Sequence, residues 1–273
     1  MAKIFIGTSG WVYPDWIGKL YPFDLPQRKW LEYFGRHFAT VEVNSTFYHL
    51  MKLETFENWV KAVPDDFVFA VKASRFITHI KRLKDCREPL KLMVRSFSGL
   101  GQKLGPILFQ LPPRFRADGE RLESLLSTVY SLQSTLTPRL HSRSVPGNSK
   151  AHSGSEIRLA FEFRDQSWFD ESIYQILRKY NAALVIAESG RYWPSEEVIT
   201  ADFVYIRFHG EGGSYASKYT DKDLKSWANR IKKWQKNGLD VYAYFNNDVG
   251  GFAVDNARTL ISLLYQQVAL SQF

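Results

Sequence analysis

Val204-Tyr205-Ile206-Arg207-Phe208-His209 alternates without a break. As an extended strand it places Val204, Ile206 and Phe208 on one face and Tyr205, Arg207 and His209 on the other. The apolar face is suited to packing under helices; the other carries a guanidinium and an imidazole. The same pattern recurs along the chain. Ala160-Phe161-Glu162-Phe163-Arg164 pairs Glu162 with Arg164, and Val41-Glu42-Val43-Asn44 pairs Glu42 with Asn44. Further runs contribute Lys72, Gln110, and Tyr242, Tyr244 and Asn246 to the polar face. Charged groups facing inward from so many strands cost free energy unless they are paired or hydrated. Their recurrence marks either a ligand site or a structural ion-pair network.

Eight such β-rich runs occur, at 4–7, 40–44, 67–72, 106–110, 158–164, 183–188, 203–209 and 241–246, each followed by helical periodicity. Eight strand–helix units in about 250 residues predict the α/β class and a (β/α)8 TIM barrel, with 1–273 as one domain. Asp170 is placed to cap a helix whose apolar face is Ile173, Ile176, Leu177 and Tyr180. Thr220 with Asp223 reads as a capping box ahead of Leu224, Trp227, Ile231 and Trp234, and Gly238 ends that helix. A last helix carries Val254, Ala257, Ile261, Leu264 and Val268. Gly7, Gly105 and Gly190 punctuate element ends. A doubly wound open sheet also alternates strand and helix, but it carries a Gly-rich phosphate loop after its first strand. Gly7-Thr-Ser-Gly10 has neither the dinucleotide fingerprint nor the P-loop spacing. One segment, 134–155, is rich in Ser, Pro, Arg, His and Gly and reads as a flexible surface loop; its His141 and His152 are not candidate ligands.

The chain has 273 residues, 45% hydrophobic and 23% charged, which excludes a wholly disordered protein. It has no apolar run long enough to span a bilayer and no signal-peptide pattern, and Cys86 is its only cysteine. A cytoplasmic protein without disulfides, with no membrane partner, is the expectation. The formal charge is +8. Eight basic residues against Asp85 and Glu88 between Lys72 and Arg95 give a local +6. That run is either a solvated helix face or a landing strip for a phosphate-bearing ligand or nucleic acid.

TIM-barrel sites gather where the C-terminal strand ends meet. On that rule Glu42, Glu162 and His209 are the candidate catalytic residues, and Asn44, Lys72, Gln110, Arg164, Arg207, Tyr244, Asn246, Trp11 and Trp168 the candidate binding residues. Arg164 and Arg207, with Lys72, would hold an anion. Glu42 or Glu162 would act as base, and His209 as acid or polarising donor. Trp11, Tyr13, Trp16, Phe47, Tyr48, Trp168 and Trp193 fall near strand ends, where rings either stack on bases and sugars or pin loops by burial. Glu42, Glu162 and His209 could form a two-carboxylate, one-histidine metal set, but only one His qualifies, so no metal or other cofactor is predicted. Without a Gly-x-Ser-x-Gly elbow or a base beside Cys86, the sequence argues against nucleophilic Ser or Cys catalysis. The neighbouring cations argue against a glycosidase acid.

Gly7-Thr-Ser-Gly-Trp11, Glu42-Val-Asn-Ser-Thr-Phe-Tyr48, Phe69-Ala-Val-Lys72, Leu104-Gly-Pro-Ile-Leu-Phe-Gln-Leu-Pro-Pro113, Phe161-Glu-Phe-Arg164, Tyr205-Ile-Arg-Phe-His-Gly210 and Tyr244-Phe-Asn-Asn247 together resemble the domain of unknown function 72 family, the YecE-like barrels. The resemblance spans nearly the whole chain. It implies a TIM barrel related to the xylose-isomerase and endonuclease-IV type, and it implies no particular reaction. After Arg164 this chain has Asp165-Gln166 where the family pattern reads His-Pro, and its 134–155 segment is longer than the family's connection. The histidine set of metal-dependent nucleases is not visible. The expected function is therefore an enzyme acting on a sugar phosphate or a nucleic-acid backbone at the barrel mouth. The alternative is a non-catalytic nucleic-acid binder using residues 72–95 and the mouth aromatics.

Overall fold

A computed structural model describes residues 2–132, 157–210, 212 and 215–265. Its strands are β1 (Ile4–Thr8), β2 (Thr40–Val43), β3 (Val68–Lys72), β4 (Leu104–Gln110), β5 (Leu159–Glu162), β6 (Ala183–Glu188), β7 (Phe203–Phe208) and β8 (Asp240–Phe245). They form one parallel sheet in the order β1-β8-β7-β6-β5-β4-β3-β2. Its two ends meet through a parallel bridge between Ser9 and Glu42, which brings the sheet round into a TIM barrel. All eight expected runs are strands, with ends shifted by one or two residues.

The inward parity read from the sequence also holds. Below the mouth the interior is packed by Phe203, Tyr205, Tyr242 and Tyr244, with Phe5 stacked 4.8 Å from Tyr242. Facing them are small or slender residues, Ala70, Leu108, Ala160, Ala183 and Val185. Large rings on β7, β8 and β1 thus fill the space that alanines on β3, β5 and β6 leave. At the N-terminal end Arg158 Nη1 donates to Asp240 Oδ2 and to the Tyr242 hydroxyl, both at 2.7 Å, and the Lys3 N–H donates to Asp240 Oδ1 at 2.7 Å. That end is closed by a structural ion pair.

Among the described residues, besides a single helical turn at Ser45–Tyr48, seven longer α-helices surround the strands: α1 (Trp30–Gly35), α2 (Leu53–Ala62), α3 (Arg87–Phe97), α4 (Gly119–Leu132), α5 (Glu171–Lys179), α6 (Asp221–Lys236) and α7 (Phe252–Tyr265). Asp170 accepts from the Ser172 N–H at the start of α5. The capping box of α6 is complete: the Asp223 N–H donates to Thr220 Oγ1 at 3.2 Å and the Thr220 N–H to Asp223 Oδ2 at 3.0 Å. Val268 and the 134–155 segment with His141 and His152 lie outside the described residues.

The expected eighth helix is missing between β6 and β7, where residues 189–202 carry none. Gly190, at φ +58°, and Pro194 interrupt the run. The segment instead lies against β6, whose Leu184 N–H donates to Thr200 Oγ1 at 2.8 Å and whose Ala187 N–H donates to Ser195 Oγ at 3.0 Å. The basic run divides in two. Arg87, Lys91 and Arg95 are the exposed face of α3, opposite Leu90, Met93 and Val94, while Arg75, Lys81 and Arg82 belong to the loop after β3. No helix among the described residues is long and apolar enough to cross a membrane.

The β1–β2 seam depends on Gly7. A Cβ there would lie 2.2 Å from the Thr40 carbonyl oxygen. The neighbour is backbone and cannot swing away, so any side chain would push the seam open. Gly7→Ala is expected to lose about 1–3 kcal/mol or more in a urea titration. A midpoint equal to wild type would show that the seam is looser than described.

Candidate functional site

The C-terminal ends of β2, β5 and β7 project two carboxylates and a guanidinium onto one another. Arg207 is 1% exposed. Its Nη2 donates to Glu42 Oε1 at 2.7 Å, its Nε to Glu42 Oε2 at 2.9 Å, and its Nη1 to Glu162 Oε2 at 2.6 Å. Glu42 also accepts from Ser9 Oγ and from the Tyr205 hydroxyl, each at 2.7 Å. Glu162 is held on its other oxygen by Arg164, through Nε at 2.8 Å and Nη2 at 2.6 Å. Burial alone would raise both carboxyls. The charge of Arg207 with donors from Arg207, Ser9 and Tyr205 keeps Glu42 below its ordinary value. Arg164, Arg207 and His209 hold Glu162 well below. Both are ionised at neutral pH.

His209, fully buried, is the reverse case. Burial lowers its pKa, and the pull of Glu162 does not restore it against Arg207 and Arg164. Asn246 Nδ2 lies 3.3 Å from Nδ1. An amide nitrogen only donates, so Nδ1 is the acceptor and Nε2 carries the proton. That Nε2 lies 3.2 Å from Glu162 Oε1 but is not aligned for a hydrogen bond. His209 is thus a neutral N–H donor without a well-formed partner.

Lys72 at the end of β3 is the third cation. It is 9% exposed; Nζ donates to Gln110 Oε1 at 2.7 Å and lies 4.3 Å from the centre of the Phe47 ring. Burial, followed by repulsion from Arg207, brings its pKa down to about 7, with Glu162 and Glu42 opposing and Arg164 adding to the fall. Arg164, 8% exposed, has its guanidinium carbon 4.1 Å from the Trp193 ring centre. On the β8 side, burial raises Asp248 to about 7; its Oδ2 accepts from Tyr13 at 2.9 Å and its buried Oδ1 has no partner. His79, on the loop after β3, is pushed down to about 4 by burial and by Lys72, Arg75, Arg164 and Arg82.

The buried side-chain polar atoms without partners among the described residues belong to Trp16, Asn44, Trp193, His209, Asn247 and Asp248. All six follow the C-terminal end of a strand; Trp16, His209 and Asn247 are fully buried, while Asn44, Trp193 and Asp248 are partly exposed. Asn44, Gln110 and Asn246 are half-buried around the mouth.

Several residues are placed differently from their expected roles. Glu42 and Glu162 are fully buried and liganded, so neither is open to act as a base on a bound molecule; both position Arg207, and Glu162 adjoins His209. Arg207 is engaged by both carboxylates rather than open to an anion. Tyr244 lies a layer below, its hydroxyl 2.8 Å from Thr40 Oγ1. Trp168 is fully buried, stacked 4.7 Å from Phe163 with Nε1 donating to the Phe115 carbonyl at 2.5 Å, so it pins loops and cannot stack on a ligand. Trp11 is half-buried, edge-on to Trp59 at 5.0 Å. Among the described residues no three of His, Cys, Asp and Glu gather as metal ligands. Cys86 is buried with its thiol raised to about 11, which leaves it inert at neutral pH. Ser9 and Asp248 are site residues outside the candidate set, and Tyr13, one of the strand-end aromatics, joins them through its hydroxyl bonds to the Ser9 carbonyl and Asp248. Ser9 was findable, since it continues the inward parity of Phe5 and Gly7.

The family model described as "Protein of unknown function DUF72" matches residues 5–272. The chain is 27% identical over 296 aligned positions to UPF0759 protein YunF of Bacillus subtilis, covering 96% of this chain and 94% of that one. It is 25% identical to UPF0759 protein YecE of Escherichia coli O157:H7, covering 85% of this chain and 82% of that one. A crystal structure of a DUF72 family protein from Thermotoga maritima superposes with a TM-score of 0.76 at 26% identity, covering 98% of this chain and 99% of that one.

Removing one partner of a buried pair costs more than the pair is worth. Arg207→Met leaves Glu42 buried with only Ser9 and Tyr205 as donors, and an expected loss of about 3–5 kcal/mol at pH 7. The sign with pH separates this from simple loss of packing. In the wild type the depressed carboxyls contribute stability that is present above pH 4.5 and lost as pH falls through their folded values. In the variant an unpaired Glu42 takes up a proton above 4.5, so its deficit shrinks between pH 7 and pH 5. Urea titrations at both pH values measure this; a deficit that stays constant would mean that Glu42 does not take up a proton between pH 7 and pH 5 in the variant.

Proposed function

The chain belongs to the DUF72 family, and from that premise we propose that it is an enzyme acting on a small phosphate-bearing substrate, a sugar phosphate or a phosphodiester, held at the C-terminal mouth of the barrel. The charge balance of the buried cluster carries this reading. Three cations, Lys72, Arg164 and Arg207, face two ionised carboxylates, Glu42 and Glu162, while Asp248 adds a third negative charge only above about pH 7. Arg207 and Arg164 are matched by the carboxylates; Lys72 has a neutral amide and a ring face as its near neighbours. A buried unmatched cation is costly, and its depressed pKa is the measure of that cost. A phosphate would supply the missing charge.

In this reading Lys72 and Arg164 meet the anion, with Arg207 behind them setting the field. His209 Nε2–H is the polarising donor toward a carbonyl or leaving oxygen, oriented by Asn246 and backed by Glu162. Asn44, Gln110 and Asn246 orient hydroxyl groups. Glu42 and Glu162 act as positioning residues. No step of this scheme calls for a cofactor.

A second reading, a non-catalytic nucleic-acid binder, is favoured by the rim. Tyr48, Phe76 and Tyr192 are exposed on the segments after β2, β3 and β6, and Arg75 and Arg82 are exposed on the segment after β3. It predicts oligonucleotide affinity that falls steeply with salt and is little changed by Glu162→Gln.

Thermal shifts with inorganic phosphate and sugar phosphates at pH 6 and pH 8.5 separate the two. At pH 6 Lys72 is charged and Asp248 neutral, so the seat is most positive; both lose a proton through about pH 7. The stabilisation, about 2.7 kcal/mol at a hundredfold excess over Kd, should therefore shrink markedly at pH 8.5 and vanish in Lys72→Met. Equal shifts in wild type, Lys72→Met and Arg164→Ala would remove the anion from this site.

A further inference from the structure

We infer that the substrate of this mouth carries an aldehyde or ketone, and that Lys72 captures it as a covalent imine on Nζ. The inference rests on the reading of the mouth as a site for a small anionic substrate and adds the reacting group. Lys72 stands at the C-terminal end of a barrel strand, in the layer of the orphaned polar atoms. Among the described lysines it contrasts with Lys103, the other buried one. Lys103 Nζ donates to the carbonyls of Val60 and Val63, both at 2.9 Å, and has Asp65 at 3.9 Å, which is how a structural lysine is tied down. Lys72 Nζ has the single acceptor Gln110 Oε1. Neighbours from three strands set its charge: Arg207 on β7 and Arg164 after β5 disfavour the ammonium form, and Glu162 on β5 and Glu42 on β2 favour it, while His79 nearby is neutral. At neutral pH this leaves a substantial share of free amine, roughly a thousandfold more than an exposed lysine holds.

The chemistry closes with the groups present. The Nζ lone pair forms a bond to the carbonyl carbon as the C=O π pair moves to oxygen, which the His209 Nε2–H can polarise. The carbinolamine oxygen takes up protons and leaves as water, and the nitrogen lone pair forms C=N. Overall, amine, carbonyl and one proton from solvent give a cationic imine and water. The imine restores a positive charge where the ammonium stood, over the face of Phe47 and beside the substrate's own anionic group, so both favour the adduct. The Gln110 carbonyl remains to accept the imine N–H.

The test is reductive trapping. Glycolaldehyde phosphate and, separately, glycolaldehyde are added with sodium borohydride, and the labelled lysines are located by peptide mass mapping. With glycolaldehyde phosphate, Lys72 should be alkylated about tenfold or more faster than any exposed lysine at pH 7, and Lys103 not at all. The rate should be bell-shaped in pH around 7, since phosphate binding needs the acidic side and the free amine the basic side. Lys72→Arg keeps the charge and should retain the phosphate thermal shift while losing the label. If the wild-type protein shows the phosphate shift but Lys72 stays unlabelled, the imine is wrong and the anion site stands; the peptide map decides this even if the arginine variant does not fold. Equal labelling of Lys72 by both aldehydes would keep the imine and overturn the phosphate. Neither shift nor label overturns both.

Discussion

One guanidinium holds the upper barrel together. Arg207 reaches from β7 to carboxylates on β2 and β5, which are not its neighbours in the sheet, and ties strands on different sides of the barrel through its Nε, Nη1 and Nη2 atoms. Glu42, one end of that strut, is also the residue whose bridge to Ser9 joins β1 to β2. The ion-pair network and the closure of the barrel are therefore one feature. A hydrophobic replacement of similar volume could hold the strands as well. What the charged version adds is register. Slipping any of the three strands by one residue would turn a charge outward into the apolar shell under the helices.

That strut also sets the chemistry above it. Two ionised carboxylates beneath the mouth are neutralised by Arg207 and Arg164, and burial is the largest influence on the groups around them, with these charges adding to or opposing it. Lys72 is brought down and Asp248 brought up, and both arrive near 7. His209 stays neutral and keeps its proton on Nε2. Groups balanced near neutrality with unsatisfied polar atoms beside them are poor for stability and suited to exchanging protons with a ligand. The rest of the molecule supports this layer from below. Aromatic rings on β7, β8 and β1 fill the barrel, and the Arg158–Asp240 pair closes the far end.

Much of this was legible in the residues. Alternation in 204–209 and 158–164 assigns each side chain to a face before any contact is known, because a strand offers two directions only. The Thr220–Asp223 box and the Asp170 cap are local hydrogen bonds within a few residues and read equally well. The absent helix at 189–202 shows the limit of local reading: Gly190 and Pro194 signal an interruption, but the bonds from β6 that hold the segment come from residues up to 16 positions away. Trp168 shows another limit. Its place after a strand end suggested a mouth aromatic, and the ring of Phe163 and the carbonyl of Phe115 draw it into the core instead.

The count of eight strands and the face on which each strand charge lies follow from the residues alone, because a strand has a period of two. Which charges meet, and which remain unmatched, depends on the closed barrel. Glu42 and Arg207 are 165 positions apart and Glu162 and Arg207 are 45. Their meeting depends on how eight strands stagger and tilt when the sheet closes. That stagger buries both glutamates, which looked like open bases, and leaves Lys72 as a cation whose charge no carboxylate among the described residues meets directly.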